Sequence, residues 1–313
     1  MPSGTKQNAV NKFEVTILGC GSAKPTTRHF PTSQIVNVRD KLFLIDCGEG
    51  CQAQICRAHL SYNKIRCIFI SHLHGDHVLG LIGLVSTMGL NDRTADLHIY
   101  APCEFENMFA SMKNFFCADS GFEVFFHGVD TTQAQVVFED RSVSVSTIPL
   151  HHRVPCCGYL FREKEGLPHI RREMIDALNI PYSQINNIKG GADWVMDDGT
   201  IIPHSRLTIP AEPSRSYAYC SDTAYMPHLA SQIRGVNLLY HEATYGEDRA
   251  EMAKEYFHST AKQAAQVARD AEVGKLLIGH YSARYLDENV LLEEAKTIFP
   301  NTILSQEFLT IGV

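Results

Sequence analysis

The stretch Ser71-His72-Leu73-His74-Gly75-Asp76-His77 follows an apolar run, Ile65-Arg66-Cys67-Ile68-Phe69-Ile70, so a strand delivers four side chains able to bind a metal into one turn. On a strand, positions 72, 74 and 76 share a face and His77 points away; on a helix, His74 and His77 align and His72 does not. No single regular element turns all four inward. The segment therefore bends, and Gly75 is expected to supply the freedom to do so. Val78-Leu79-Gly80-Leu81-Ile82-Gly83-Leu84-Val85 then reads as the start of a buried helix. Its N-terminal dipole favours the Asp76 carboxylate and keeps the His77 imidazole neutral and free to bind metal. A solvated histidine-rich loop is the alternative to a metal site; the density of donors favours the metal.

One event recurs along the chain: apolar strands end at a polar residue that can bind metal. Ile70 precedes His72, Ile148 precedes His151 and His152, Cys220 precedes Asp222, and Ile278 leads to His280. Ligands at strand ends can converge on one edge of a sheet assembly. Seven candidates follow: His72, His74, Asp76, His77, His152, Asp222 and His280, with His151 and His152 not distinguishable locally. All are nitrogen or oxygen donors, which suits zinc, manganese or iron, with zinc the default. Seven donors exceed one four-coordinate ion, so two ions sharing a carboxylate is the expected count. Asp222 is the expected bridge. A water between two such ions has its pKa lowered towards ~7 and becomes hydroxide at neutral pH. Asp46, at another strand end, is expected to support the site or form a turn rather than to ligate.

The signature resembles that of the metallo-β-lactamase superfamily, which carries the same His-x-His-x-Asp-His pattern. The resemblance implies an α/β fold, a four-layer αββα sandwich, with the metal centre between two mixed sheets. It also assigns His72, His74 and His152 to the first ion and Asp76, His77 and His280 to the second, choosing His152 over His151 by its distance from Gly158-Tyr159. Function does not follow from this fold alone.

Composition sets the class. The chain has 313 residues, 44% of them apolar, and a net charge of −7, so it can bury a large core and shows no global basic character for nucleic acid. Any RNA-binding surface must be local. Ten cysteines are scattered without a Cys-x-x-Cys pair and read as reduced core residues. Residues 1–12 are polar and lack the apolar segment of a signal peptide, and no apolar run approaches ~18 residues, so a cytoplasmic, membrane-free protein is expected.

The strand and helix pattern changes between Arg162 and Ser216. This interval holds Pro168, Pro181, Pro203, Pro210 and Pro213, the pair Gly190-Gly191, and the cations Arg162, Lys164, Arg171, Arg172, Lys189, Arg206 and Arg215. Only Glu173 to Leu178 reads as helical. Such an excursion inside residues 1–313 is expected to be an insertion, 162–216, anchored by Ile180, Ile185, Trp194 and Ile201. Beyond it, Thr260 to Ala271 reads as a helix with Ser259 as its N-cap.

Five motifs sharpen the resemblance: Leu18-Gly19-Cys20-Gly21-Ser22-Ala23, the histidine signature extended to Leu81, His241-Glu242-Ala243-Thr244, His258-Ser259-Thr260, and Gly279-His280-Tyr281-Ser282-Ala283-Arg284-Tyr285. Together they resemble short-form ribonuclease Z, the tRNA 3′-processing endonuclease family, over nearly the whole chain. The resemblance implies two zinc ions per subunit, precursor tRNA as substrate, a homodimer, and a flexible arm at 162–216 that grips the tRNA. It implies that His258 and Glu242 act in proton transfer to the leaving oxygen, where Glu242 could equally hold His258 in its tautomer; on chemical grounds Asp76 could orient or deprotonate the attacking water. The arm lacks the family's Gly-Pro tip, and Lys24-Pro25-Thr26-Thr27-Arg28-His29 matches the loop that senses the tRNA 3′ end only in part. Two other readings use the same residues: a dinuclear hydrolase of small phosphodiesters or lactones, and a non-catalytic RNA-binding protein. The complete donor set disfavours the latter.

Overall fold

Alternation in the opening strand, Phe13–Gly19, sends Phe13, Val15 and Ile17 into one core while Leu18 enters another. In Lys41–Ile45, Phe43 and Ile45 join the first core, Leu42 and Leu44 the second. Each strand thus feeds two hydrophobic layers. The computed structural model describes residues 12–313. Two seven-stranded sheets organise it. The first runs, edge to edge, Thr310–Gly312, Phe13–Gly19, Ser33–Val38, Lys41–Ile45, Ile65–Phe69, Leu97–Pro102 and Val124–Val129. The second runs Thr302–Leu304, Lys275–Gly279, Leu238–Glu242, Ser216–Cys220, Cys157–Glu163, Val143–Pro149 and Val136–Glu139. Between them, Phe69 meets Tyr159 at 5.1 Å and Phe161 at 5.5 Å, ring centre to ring centre. Ile55, Leu84, Val85, Met88 and Phe109 cover the outside of the first sheet, from helices Cys51–Arg57, Leu81–Leu90 and Glu106–Phe116. Ala264, Ala265, Ala268 and Leu291, from Ala261–Asp270 and Asn289–Lys296, line the core against the second. The order is helix, sheet, sheet, helix, as the resemblance implies.

Parallel register levels the strand ends that matter. Cys220 pairs with His241, His241 with Ile278, and Glu242 with Gly279. Asp222, Glu242 and His280 therefore leave the second sheet at one edge, where sites form in parallel sheets.

Two local expectations are corrected, and one strand was not expected. Gly75 has no left-handed backbone; it opens the short helix Gly75–Val78, and the bend is the change from extended His74, at ψ 149°, into that helix. Around this bend, close approach requires glycine at Gly48 and Gly80: a Cβ on Gly48 would lie 2.4 Å from the Asp76 carbonyl oxygen, and one on Gly80 2.1 Å from the Gly48 carbonyl oxygen. Thr260, not Ser259, caps Ala261–Asp270, in a reciprocal capping box with Gln263. Strand Ser33–Val38 escaped the sequence reading because all six of its residues are buried, which removes the alternation that marks a strand.

Glu163–Ser214 forms a compact unit of its own. It has three short helices, Arg172–Ala177, Ile185–Lys189 and His204–Leu207, where the sequence suggested one, and two short ladders, His169–Ile170 with Thr208–Ile209 and Trp194–Val195 with Ile201–Ile202. A small core of Ile180, Ile188 and Leu207 holds it together.

Candidate metal centre

All seven predicted donors meet at the sheet edge. Ligand atoms of His72, His74, His152 and Asp222 lie within 4.8 Å of one another, as do those of Asp76, His77 and His280. His72 Nε2 is 3.1 Å from His74 Nδ1, which is 3.3 Å from His152 Nε2. His77 Nε2 and His280 Nε2 are 3.4 Å apart. Asp222 faces both groups. Its Oδ2 is 3.6 Å from His72 Nε2 and 3.7 Å from His152 Nε2, while Oδ1 is 3.5 Å from His77 Nε2 and 3.2 Å from His280 Nε2.

The outer nitrogens of these rings are tied down, and this aims the inner ones. His72 Nδ1 meets Ser71 Oγ at 2.9 Å, His77 Nδ1 meets Asp46 Oδ2 at 2.7 Å, His152 Nδ1 meets the Phe257 carbonyl at 2.9 Å, and His280 Nδ1 meets Thr244 Oγ1 at 2.9 Å. Four rings thus present Nε2 to a common centre, as metal-bound histidines do. His280 and Asp46, each just past a strand end, have left-handed backbone conformations, φ 62° and 54°.

Electrostatics suit a cation. Burial holds His72, His74 and His152 below the usual imidazole range, so each offers a lone pair. Burial also opposes charge on His77, but Asp222, Asp76 and Asp46 outweigh it and push the group up to about 10, so without a cation the ring is not held neutral as the helix dipole suggested. Burial disfavours ionised Asp222 too, yet His280, His77 and His72 hold it well below the carboxylate range. The carboxylates around His77 call for positive charge, and a cation can take the place of its proton. On donor type, spacing and orientation, the residues fit divalent ions.

Beside the donors, His258 Nδ1 lies 2.9 Å from Glu242 Oε1. Its other ring nitrogen has no protein partner among the described residues, and His258 lines an open cleft of about 430 Å³ with Asp76, His74, Asp222 and His280. Burial opposes the imidazolium; Glu242 and Asp222 outweigh it and raise His258 to about 9. Glu242 also accepts from the backbone N–H groups of Thr223, Ser259 and Thr244 and from Thr244 Oγ1. It is fixed as an acceptor. The neighbouring His241 bonds the Glu242 carbonyl and stays out of the cluster, and His151 is exposed.

Comparison with known proteins fits this geometry. Residues 13–166 match the family model described as Anti-Pycsar protein Apyc1, and residues 197–281 match the Beta-lactamase superfamily domain. Ribonuclease Z of Bacteroides thetaiotaomicron is 55% identical over 304 residues, covering 97% of this chain and 96% of that protein. Ribonuclease Z of Porphyromonas gingivalis is 48% identical over 301 residues, covering 96% of this chain and 99% of that one. The chain belongs to the ribonuclease Z family. Its fold matches the crystal structure of human tRNase Z, short form, with a TM-score of 0.70 at 23% identity, covering 96% of this chain and 99% of that one.

Several supports of this ribonuclease Z site were not read from the sequence. Thr244 links Glu242 to His280, and the Ala23 N–H donates to Asp76 Oδ2 at 2.7 Å. Lys24, Arg153 and Arg284 bring positive charge to the cleft wall. Asp46 takes the supporting position expected of it: Oδ1 accepts from Ser71 N at 2.7 Å, and Oδ2 from Ser71 Oγ at 2.9 Å and Tyr219 OH at 2.6 Å, besides facing His77. Asp46→Asn should therefore weaken metal affinity about 10–100-fold through a misaligned His77. Competition with a chelator of known affinity measures it; unchanged affinity would deny Asp46 this role.

Proposed function

We propose that the chain is an endonuclease that removes the 3′ trailer from precursor tRNA, cutting after the discriminator base to leave a tRNA 3′-hydroxyl and a trailer 5′-phosphate. The observation that carries this reading is Asp222 facing two histidine clusters with one oxygen each, in a chain of this family. His72, His74 and His152 would hold one zinc ion, Asp76, His77 and His280 a second, with Asp222 between them. Such a pair supplies hydroxide at neutral pH and offsets charge on the attacking and leaving oxygens. The chain's own residues do the rest. Asp76, fixed by the Ala23 N–H, orients the attacking water. His258, whose imidazolium form Glu242 Oε1 at 2.9 Å favours, hands its proton to the leaving 3′-oxygen. Lys24, Arg153 and Arg284 hold phosphates near the scissile bond.

His258→Ala should lower kcat on precursor tRNA by about 10²–10⁴-fold with little change in KM. Glu242→Gln removes the charge that raises His258, so the alkaline fall in kcat should move to lower pH. Steady-state kinetics across pH measure both; an unmoved alkaline limb in Glu242→Gln would remove His258 from the proton path.

The insertion 162–216 would be the tRNA-binding arm; its seven Lys and Arg are offset by eight Asp and Glu, so phosphate contacts would come from individual cations, among them Arg171, Arg172, Lys189 and Arg206, and not from a net basic segment. A homodimer in the cytoplasm completes the reading. Ten unpaired cysteines agree with a reducing compartment, and no described helix is long and apolar enough to cross a membrane.

A further inference from the structure

Cys20, His29 and Glu307 bring three more donors together, and the proposed chemistry uses none of them. Cys20 Sγ is 3.2 Å from His29 Nδ1, which is 3.1 Å from Glu307 Oε2. All three ligand atoms lie within 4.8 Å of one another. Cys20 is fully buried, and the side chains of His29 and Glu307 are each 14% exposed. On the far side of the ring, His29 Nε2 meets Glu288 Oε1 at 3.2 Å, and Arg28 Nη1 holds that oxygen at 2.6 Å. The Phe30 N–H orients Glu307 at 3.0 Å.

A carboxylate behind the ring, with sulfur and a carboxylate oxygen in front, is how a metal-ligating histidine is set. Tetrahedral zinc with ordinary bond lengths spaces its nitrogen, oxygen and sulfur ligands roughly 3.3–3.6 Å apart. The two distances at His29 Nδ1, 3.2 Å to Cys20 Sγ and 3.1 Å to Glu307 Oε2, lie within a few tenths of an ångström of that, and Cys20 Sγ and Glu307 are within 4.8 Å of each other. Charge balances with or without an ion. Without one, Arg28 and an imidazolium at His29 neutralise Glu288 and Glu307, and Cys20 is a thiol. A divalent cation that displaces the His29 Nδ1 proton and the Cys20 thiol proton leaves the net charge of the cluster unchanged, with both protons released to solvent.

We propose that Cys20, His29 and Glu307 form a further cation site, separate from the Asp222 centre and suited by its thiolate to zinc-like ions. The partly exposed His29 and Glu307 leave a fourth position to water. The site would tie the Cys20 turn to the C-terminal segment, and three residues on, Ala23 holds Asp76.

Cobalt substitution tests this independently of the RNA reading. The donors of the Asp222 centre include no sulfur, so a thiolate-to-cobalt charge-transfer band in the near ultraviolet would report the Cys20 site alone. The band is expected in the cobalt-loaded wild-type protein. It should be absent from Cys20→Ala and His29→Gln, each with one cation fewer per chain by elemental analysis. Circular dichroism identifies whichever variant stays folded. No band in the wild type, or a band that persists in Cys20→Ala through adventitious binding at the exposed Cys56 or Cys103, would overturn the proposal.

Discussion

Asp222→Asn is expected to reduce hydrolysis of both precursor tRNA and bis(p-nitrophenyl) phosphate by about 10³-fold or more, a barrier increase of ~4 kcal/mol. Asp222 is the carboxylate whose two oxygens face the two donor clusters separately, at 3.2–3.7 Å. An amide keeps the shape and loses the charge, so five histidines would converge without the group proposed to hold the ions together. Zinc content should fall by at least one ion per chain. The fold should persist, because the strand that carries the site, Ser216–Cys220, is buried along its whole length between neighbours. Full metal content together with full activity would show that Asp222 is not the bridge.

Removal of 163–214 should separate RNA recognition from chemistry. Arg162 and Ser216 are partners in the antiparallel ladder of the second sheet, so the cut ends are adjacent and a short Gly-Ser turn can rejoin them. The small core of Ile180, Ile188 and Leu207 leaves with the segment, while both large cores keep their residues. Cleavage of precursor tRNA should fall by at least ~10³-fold as the phosphate contacts proposed for the arm's individual Lys and Arg are lost, although the segment as a whole is net negative. Hydrolysis of the small diester should stay within about two-fold. If both activities vanish in a folded protein, the segment is not the RNA grip. Mixing this variant with Asp222→Asn tests the homodimer: an arm that serves its partner's site would restore precursor cleavage in the mixed dimer.

The centre was legible because its donors fall at a repeated place in the pattern, just beyond an apolar strand. His72, Asp222 and His280 could each be found from one local boundary. Their supports could not. Tyr219 reaches Asp46 across 173 residues and Thr244 reaches His280 across 36, and neither contact has a spacing that marks it in sequence. Cys20 and Glu307 lie still further apart in the chain, and only the folded edge of the first sheet brings them together. The bend at Gly75 was predicted for the wrong reason, since a helix start needs no unusual glycine backbone. The insertion was visible by its prolines and cations, and its first helix by Glu173 to Leu178, but the other two were not, because runs of four or five residues show too little periodicity.

The most direct test of the account is incubation of purified protein with a 3′-extended tRNA transcript, with and without a chelator, followed by mapping of both new ends. The account predicts a single cut after the discriminator base, a 3′-hydroxyl on the tRNA, a 5′-phosphate on the trailer, loss of cleavage with chelator, and recovery with zinc or manganese. An intact transcript after incubation with metal-loaded protein, or cleavage that a chelator leaves untouched after metal removal is verified, would contradict it.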